Sequence, residues 1–173
     1  MIRTHRNLLF ALVTAAITAC TSQPQVRTSL PGNIQIQSPE ADIPEPVTAC
    51  LGVWSGRWTE SCILSGCFTA GTELSLIVHR VTRGPNSQYA AQVTVIWQEA
   101  LKSEQIVRGI TVPVNSDGTL HLDNPKDGSR SRFQITFDRQ RMDLEYLGVE
   151  PRITQQHIRM SGTLWRIPKG AGW

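Results

Sequence analysis

Cys62 and Cys67 are the residues of this chain whose type and spacing most directly suggest a covalent bond. They enclose Ile63-Leu64-Ser65-Gly66, a segment able to turn the chain back on itself and bring the thiols together. Cys50 offers two rival pairings, Cys50–Cys67 and Cys50–Cys62, and spacing leaves the connectivity open. Three thiolates can in principle hold a metal, but zinc sites usually show tighter spacing with histidine among the ligands, so no metal is expected. The histidines are isolated. His79 falls in an apolar run, where a satisfied interior or interface imidazole is expected rather than a base, and His121 alternates with Leu120 and Leu122 and is expected to face solvent. Glu60, Glu73, Glu99 and Glu104 are scattered, with no pair at a set separation. No Gly-x-Ser-x-Gly elbow, His-Glu-x-x-His helix or phosphate loop occurs. The expectation is therefore no catalytic residue and no enzyme. Arg130, Arg132, Arg139 and Arg141 cluster around one hairpin end and read either as a solvated rim or as a contact for an anionic headgroup or polymer.

The segment that must position these residues runs from about 50 to 168, and its pattern is alternation. From Gln88 to Gln98, Tyr89, Ala91, Val93, Val95 and Trp97 face one way, and Ala90, Gln92, Thr94, Ile96 and Gln98 the other. Period-2 alternation of β-branched and aromatic residues is what a half-buried strand needs. Similar runs cover 52–59, 72–82, 105–114, 120–122, 132–138, 142–146 and 157–167, punctuated by turn signals at Gly84-Pro85-Asn86, Asp117-Gly118 and Asp127-Gly128. About eight short strands with short links and no long helix predict an all-β domain, an antiparallel up-and-down meander closed into a barrel. Closure removes the exposed edges of an open sheet. A β-sandwich is the alternative. Residues 169–173 form a C-terminal tail.

Residues 20–49 read differently. Pro24, Pro31, Pro39, Pro44 and Pro46 are interspersed with Ser, Thr, Gln and Asn, there is little apolar material, and the segment is expected to be a disordered tether. The full chain has 173 residues and a formal charge of +3, with no basic field to suit nucleic acid. Downstream of the first 19 residues no apolar run approaches the ~20 residues of a membrane-spanning helix.

The first residues carry a basic stretch (Arg3, His5, Arg6), an apolar run from Leu8 to Ala16, then Ile17-Thr18-Ala19-Cys20. This resembles the signal peptide and lipobox of bacterial lipoproteins, with Ile17 where Leu is commoner and Thr18 where Ala or Ser is commoner. The resemblance implies cleavage after residue 19, with diacylglycerol on the Cys20 thiol and an acyl chain on its new N-terminus, as the only attached groups. Two or three acyl chains anchor stably where one is marginal. Thr21 stands where enteric bacteria place a retaining Asp, so the resemblance implies the outer membrane rather than the inner, and an exported compartment that permits disulfides.

The first strand reads Gly52-Val53-Trp54-Ser55-Gly56-Arg57-Trp58, two overlapping Gly-x-Trp units at the start of a meander. It resembles the calycin superfamily of lipocalins, fatty-acid-binding proteins and avidins. That resemblance implies a tryptophan packed across the closed end of the barrel under a basic residue of the last strand. Trp54 or Trp58 would be the plug and Arg159 or Arg166 the cap, worth about 0.5–2 kcal/mol as a cation–π contact. The expected function is a lipid-anchored envelope protein whose small barrel binds a ligand, an apolar one among the candidates, without covalent chemistry. The alternative is a protein-interaction, inhibitor or structural module of the envelope. The expected partners are the membrane, through the anchor, and a small apolar ligand or an envelope protein.

Overall fold

The computed structural model describes residues 30–63, 66–69, 71–84, 86, 88–98, 104–124, 128–136, 138–150 and 156–170. Cys20, the signal segment, Glu99, Asp127 and the residues after 170 lie outside the described residues.

The alternation of inward apolar and outward polar residues is realised in one antiparallel sheet. Its strands are β1 (Gly52–Ile63), β2 (Gly66–Thr69), β3 (Glu73–Arg83), β4 (Tyr89–Gln98), β5 (Glu104–Val114), β6 (Leu120–Asp123), β7 (Arg130–Ile135), β8 (Arg141–Glu150) and β9 (Gln156–Ile167). They follow the order β2-β1-β3-β4-β5-β6-β7-β8-β9, and β1 pairs back onto β9 from Val53↔Ile167 to Cys62↔Arg159. Eight strands thus form a closed up-and-down barrel, and one sheet closed on itself replaces the two of a sandwich. The ninth strand, β2, was not legible as a strand. It exists because β1 runs on past Arg57, where β3 begins at Glu73, and the free edge from Glu60 to Ile63 takes a short partner.

The interior is built by the face read on β4. Ala91, Val93 and Val95 are buried, with Tyr89 and Trp97 packed against the same core. Trp54, Trp58, Leu76, Val78, Leu120, Phe133, Met142, Leu144 and Leu164 fill the rest of it. The β1–β9 seam is tight: a Cβ on Gly162 would sit 2.5 Å from the Arg57 carbonyl oxygen, so only glycine fits opposite Trp58.

Residues 30–49 depart from the tether reading. The outward side chains Val53 (β1), Ile77 (β3), Ile96 (β4) and Ile167 (β9) form a second, buried apolar cluster, with Leu30, Ile34 and Ile36 packed against it. This stripe lies on the outside of four neighbouring strands, so it exists only once the sheet has closed. Backbone pairing fixes the strap, with the Gln37 N–H donating to the His79 carbonyl at 2.8 Å. Arg80 faces Glu40 at 3.6 Å and Arg83 faces Asp42 at 3.4 Å. The strap then turns into a one-turn helix, α1 (Glu45–Thr48), which starts after Pro44 and buries Val47. Four prolines and few apolar residues concealed a segment that contributes Ile43 and Val47 to the main core and leads into buried Cys50. The folded unit therefore reaches back at least to Leu30.

Candidate functional site

Trp54 closes one end of the barrel. It is fully buried, and its indole N–H donates to the Cys50 carbonyl at 2.8 Å. Arg166, its Cα partner on β9, lies over the ring with Cζ 4.1 Å from the centroid. The Arg166 guanidinium donates to three carbonyls: Leu51 at 2.8 Å, Ala49 at 2.5 Å and Arg139 at 3.0 Å. Loss of solvent lowers its pKa from the usual arginine range, opposed by the nearby Cys50 thiol. Cys50 is wholly buried and donates to the Val47 carbonyl at 3.1 Å; burial pushes its pKa up to about 12, against a smaller pull from Arg166. Gly52 has φ +129 and leaves room for the Arg166 fork. Of the candidate plug residues the structure joins Trp54, Gly52 and Arg166. Trp58 lies deeper along β1, edge-on to Tyr146 with ring centroids 6.3 Å apart, and Arg159 is far along β9 beside Glu145 at 3.4 Å.

The same end carries the turn after β5, where Gly118 meets the Pro46 carbonyl, and the turn after β7, where Arg139 pairs with Glu45. The Arg139 guanidinium holds the Glu45 carboxyl below its ordinary pKa, first by hydrogen bonding and then by charge. The contacts of Gly118 with Pro46 and of Arg139 with Glu45 join strap, α1 and turns into one cap over this end.

At the opposite end the inward side chains are less covered. Trp97, Ile110, Leu122, Tyr146 and Met160 pack against the core but are only partly buried. Val107, inward by its pairing with Val95, is 38 % exposed. The cause is topological. β5 and β6 pair only at Val114↔Leu120, so the rest of β5 leaves the ladder on that side. Gly109, at φ +66, adds a bulge opposite Thr94 that turns β5 further. The result, among the described residues, is a set of partly exposed apolar side chains at this end, with aromatic rings from β4 and β8.

On the outside of β6–β9, near this open end, lies a concavity of about 570 Å³ lined by His121, Asp123, Arg130, Arg132, Glu145, Leu147 and Arg159. Ladder register explains it. His121, Arg132 and Glu145 stand in one cross-strand row, and Asp123, Arg130, Leu147 and Arg159 in the next. Glu145 holds Arg132 at 2.7 Å and Arg159 at 3.4 Å. His121 is half-buried, with Nε2 3.0 Å from the Asn115 amide nitrogen, instead of fully facing solvent. The arginines that clustered in sequence divide: Arg130 and Arg132 line this concavity, while Arg139 and Arg141 sit at the closed end, paired with Glu45 and Asp143.

Cys62 and Cys67 are disulfide-bonded and directly opposed across β1 and β2, which leaves Cys50 as the free thiol among the described residues. Glu60 places a carboxylate within 4.8 Å of both sulfurs, but the sulfurs are committed to each other. His79 is satisfied on both nitrogens: Nδ1 is 3.0 Å from the Gln35 carbonyl and Nε2 2.9 Å from the Thr94 hydroxyl. The strap that it fastens is the feature that sequence reasoning missed; the alternation Ile34-x-Ile36 was its one visible signal.

A closed eight-stranded meander fits a calycin-like domain, with a Gly-x-Trp first strand whose indole lies under an arginine of the last. No protein-family model matches the chain, and no curated protein matches it in sequence. Among solved structures it is similar to an S-type phycobiliprotein lyase from Guillardia theta, at 10 % identity and a TM-score of 0.38, over 71 % of this chain and 91 % of that one. So distant a likeness carries neither ligand nor activity across.

Proposed function

We propose that this protein is anchored by lipid on Cys20 to a bacterial envelope membrane, the outer one, and that its barrel binds a small apolar ligand non-covalently at the open end. The observation that carries the binding reading is the contrast between the two ends. Trp54, α1 and Arg166 seal one, whereas Trp97, Val107, Leu122, Tyr146 and Met160 remain partly uncovered at the other. Binding sites of this kind are mostly apolar with a few polar groups at the edge. An eight-stranded barrel is just wide enough to be filled by side chains or to hold one small ligand. Here the core fills the closed half, so the ligand sits in the mouth. The role is binding, with no catalytic step assigned.

The test is solvent extraction and mass spectrometry of protein purified from membranes, with Trp emission titrated by fatty-acid-like probes. A co-purified amphiphile and a blue shift lost in Trp97→Ala support the reading. No extracted ligand and no spectral response overturn it. The anchor is tested separately by intact mass of wild type against Cys20→Ala.

A second reading, an interaction or inhibitor module, has one observation in its favour. The disulfide-closed β1–β2 hairpin extends beyond the start of β3, with Glu60, Gly66 and Cys67 exposed, and suits a protein partner. A pull-down with the intact protein that retains a partner, lost when the exposed Glu60 is replaced by Arg, would move the assignment to it.

A further inference from the structure

Two outward rows of side chains on β6–β9 lie apart from the partly exposed apolar side chains of the open end. The row nearer the open end reads Asp123, Arg130, Leu147, Arg159. Leu147 is 51 % exposed and stands between two arginines whose strands lie about 10 Å apart, two inter-strand spacings. Arg130 makes no ion pair among the described residues. Arg159 is 71 % exposed and holds Glu145 only at 3.4 Å, while Glu145 is engaged more closely by Arg132 at 2.7 Å. Glu145 thus aligns two guanidiniums, and Asp123 borders the far side of Arg130. Three guanidiniums and two carboxylates leave an excess of positive charge around an exposed leucine in a shallow concavity.

We propose that this Arg130–Leu147–Arg159 row is a docking site for the headgroups of anionic phospholipid. A guanidinium takes a phosphate by paired hydrogen bonds, which a lysine does not reproduce. An apolar side chain between two such cations suits an interface where headgroup and acyl region meet. Chain length argues for the same occupant, and this step rests on the anchored reading of Cys20. Because the strap is bound to the barrel from Leu30, ten peptide units link it to Cys20 and span at most about 35 Å. From Gln37 to Asp42 the strap runs in the direction of β3, with Gln37 at His79 and Asp42 at Arg83. An anchor on Cys20 therefore keeps the barrel, and this row with it, within that reach of headgroups.

The test uses the chain from Thr21, without acyl groups; it retains every described contact, since those begin at Leu30. Binding is measured by sedimentation with phosphatidylcholine vesicles, with and without phosphatidylglycerol, and with inorganic phosphate as competitor. The expected result is binding to the anionic vesicles alone, weakened by salt. Arg130→Gln and Arg159→Gln should each lower affinity about fivefold. Leu147→Asp should lower it further, and Arg141→Gln at the closed end should leave it unchanged. The variants replace exposed side chains, so unchanged circular dichroism separates binding from folding. Absence of sedimentation, equal binding when Arg130→Gln and Arg159→Gln are combined, or a site saturated by inorganic phosphate without vesicle binding would overturn the proposal. Acylation of Cys20, read independently by mass, shows whether the anchored reading stands or falls apart from it.

Discussion

Arg166 and Trp54 are Cα partners across the β1–β9 seam, with the guanidinium 4.1 Å from the indole centroid. This single contact ties the last strand to the first and also to the cap, because the same guanidinium serves the carbonyls of Ala49 and Leu51. Closure of the barrel and seating of the strap are therefore coupled at one residue.

Removing either partner should be costly in different ways. Trp54→Ala empties the largest fully buried side chain and should cost about 3–5 kcal/mol. Arg166→Met keeps much of the stem but leaves three carbonyls without a donor, for about 1–3 kcal/mol. Arg166→Lys should recover only part of this, because a point cation cannot serve three carbonyls in a planar fork. Urea unfolding of the three variants checks the order; Arg166→Lys matching wild type would mean that charge alone suffices.

Much of this arrangement was legible before the fold was known, and its gaps have physical causes. The β4 alternation from Tyr89 to Trp97 marks an inward face, and Ile63-Leu64-Ser65-Gly66 marks a turn between two cysteines. Period-2 reasoning could not choose between Trp54 and Trp58, because residues four apart on a strand share a face. Register decides: Trp54 falls opposite Arg166 and Trp58 opposite Gly162. The strap was hidden for another reason. Leu30, Ile34 and Ile36 pack against Val53, Ile77, Ile96 and Ile167, four residues that come together only when four strands are side by side. Nor could spacing place Arg130 and Arg159 in one row, since that depends on the β7–β8–β9 ladder.

The Cys50 thiol makes stability fall at alkaline pH. Its pKa is about 12 in the folded chain, pushed up by burial, against 9.0 for the free group. Above 9.0 the unfolded chain loses this proton and the folded chain keeps it, so the unfolded state is favoured progressively. The contribution is complete below pH 9.0 and is lost as pH rises toward 12. Cys50→Ala should flatten that decline in the urea midpoint, and the native thiol should resist alkylation until urea unfolds the chain. Rapid native labelling would contradict the burial.

The strap should behave as part of the fold. His79 must donate from Nδ1 to the Gln35 carbonyl, which can only accept, so in its neutral form Nε2 accepts from the Thr94 hydroxyl. His79→Ala breaks both bonds at about 1 kcal/mol each. Ile36→Ala removes a partly buried contact for about 1–2 kcal/mol, less than a fully buried isoleucine costs. Both residues hold one segment, so the double variant should lose less than the sum. Limited proteolysis should then cut within 30–42 before the barrel. Additive losses with no new cleavage would show that the two contacts act separately.

The disulfide should matter locally. β2 pairs only with β1, over four residues, and a two-stranded hairpin is marginal by itself. Closing so short a loop contributes about 2 kcal/mol on the chain-entropy account. The β1–β3 and β1–β9 ladders from Val53 to Arg57 do not depend on it. Replacing Cys62 and Cys67 by Ser should therefore speed amide exchange at residues 66–69 and leave exchange at Val53–Arg57 unchanged. The urea transition should stay cooperative and move by no more than the hairpin contributes. If exchange rises along β1 below Arg57 as well, the hairpin is an integral part of barrel closure, and β2 would then have to be counted with the barrel rather than as a strand added to its edge.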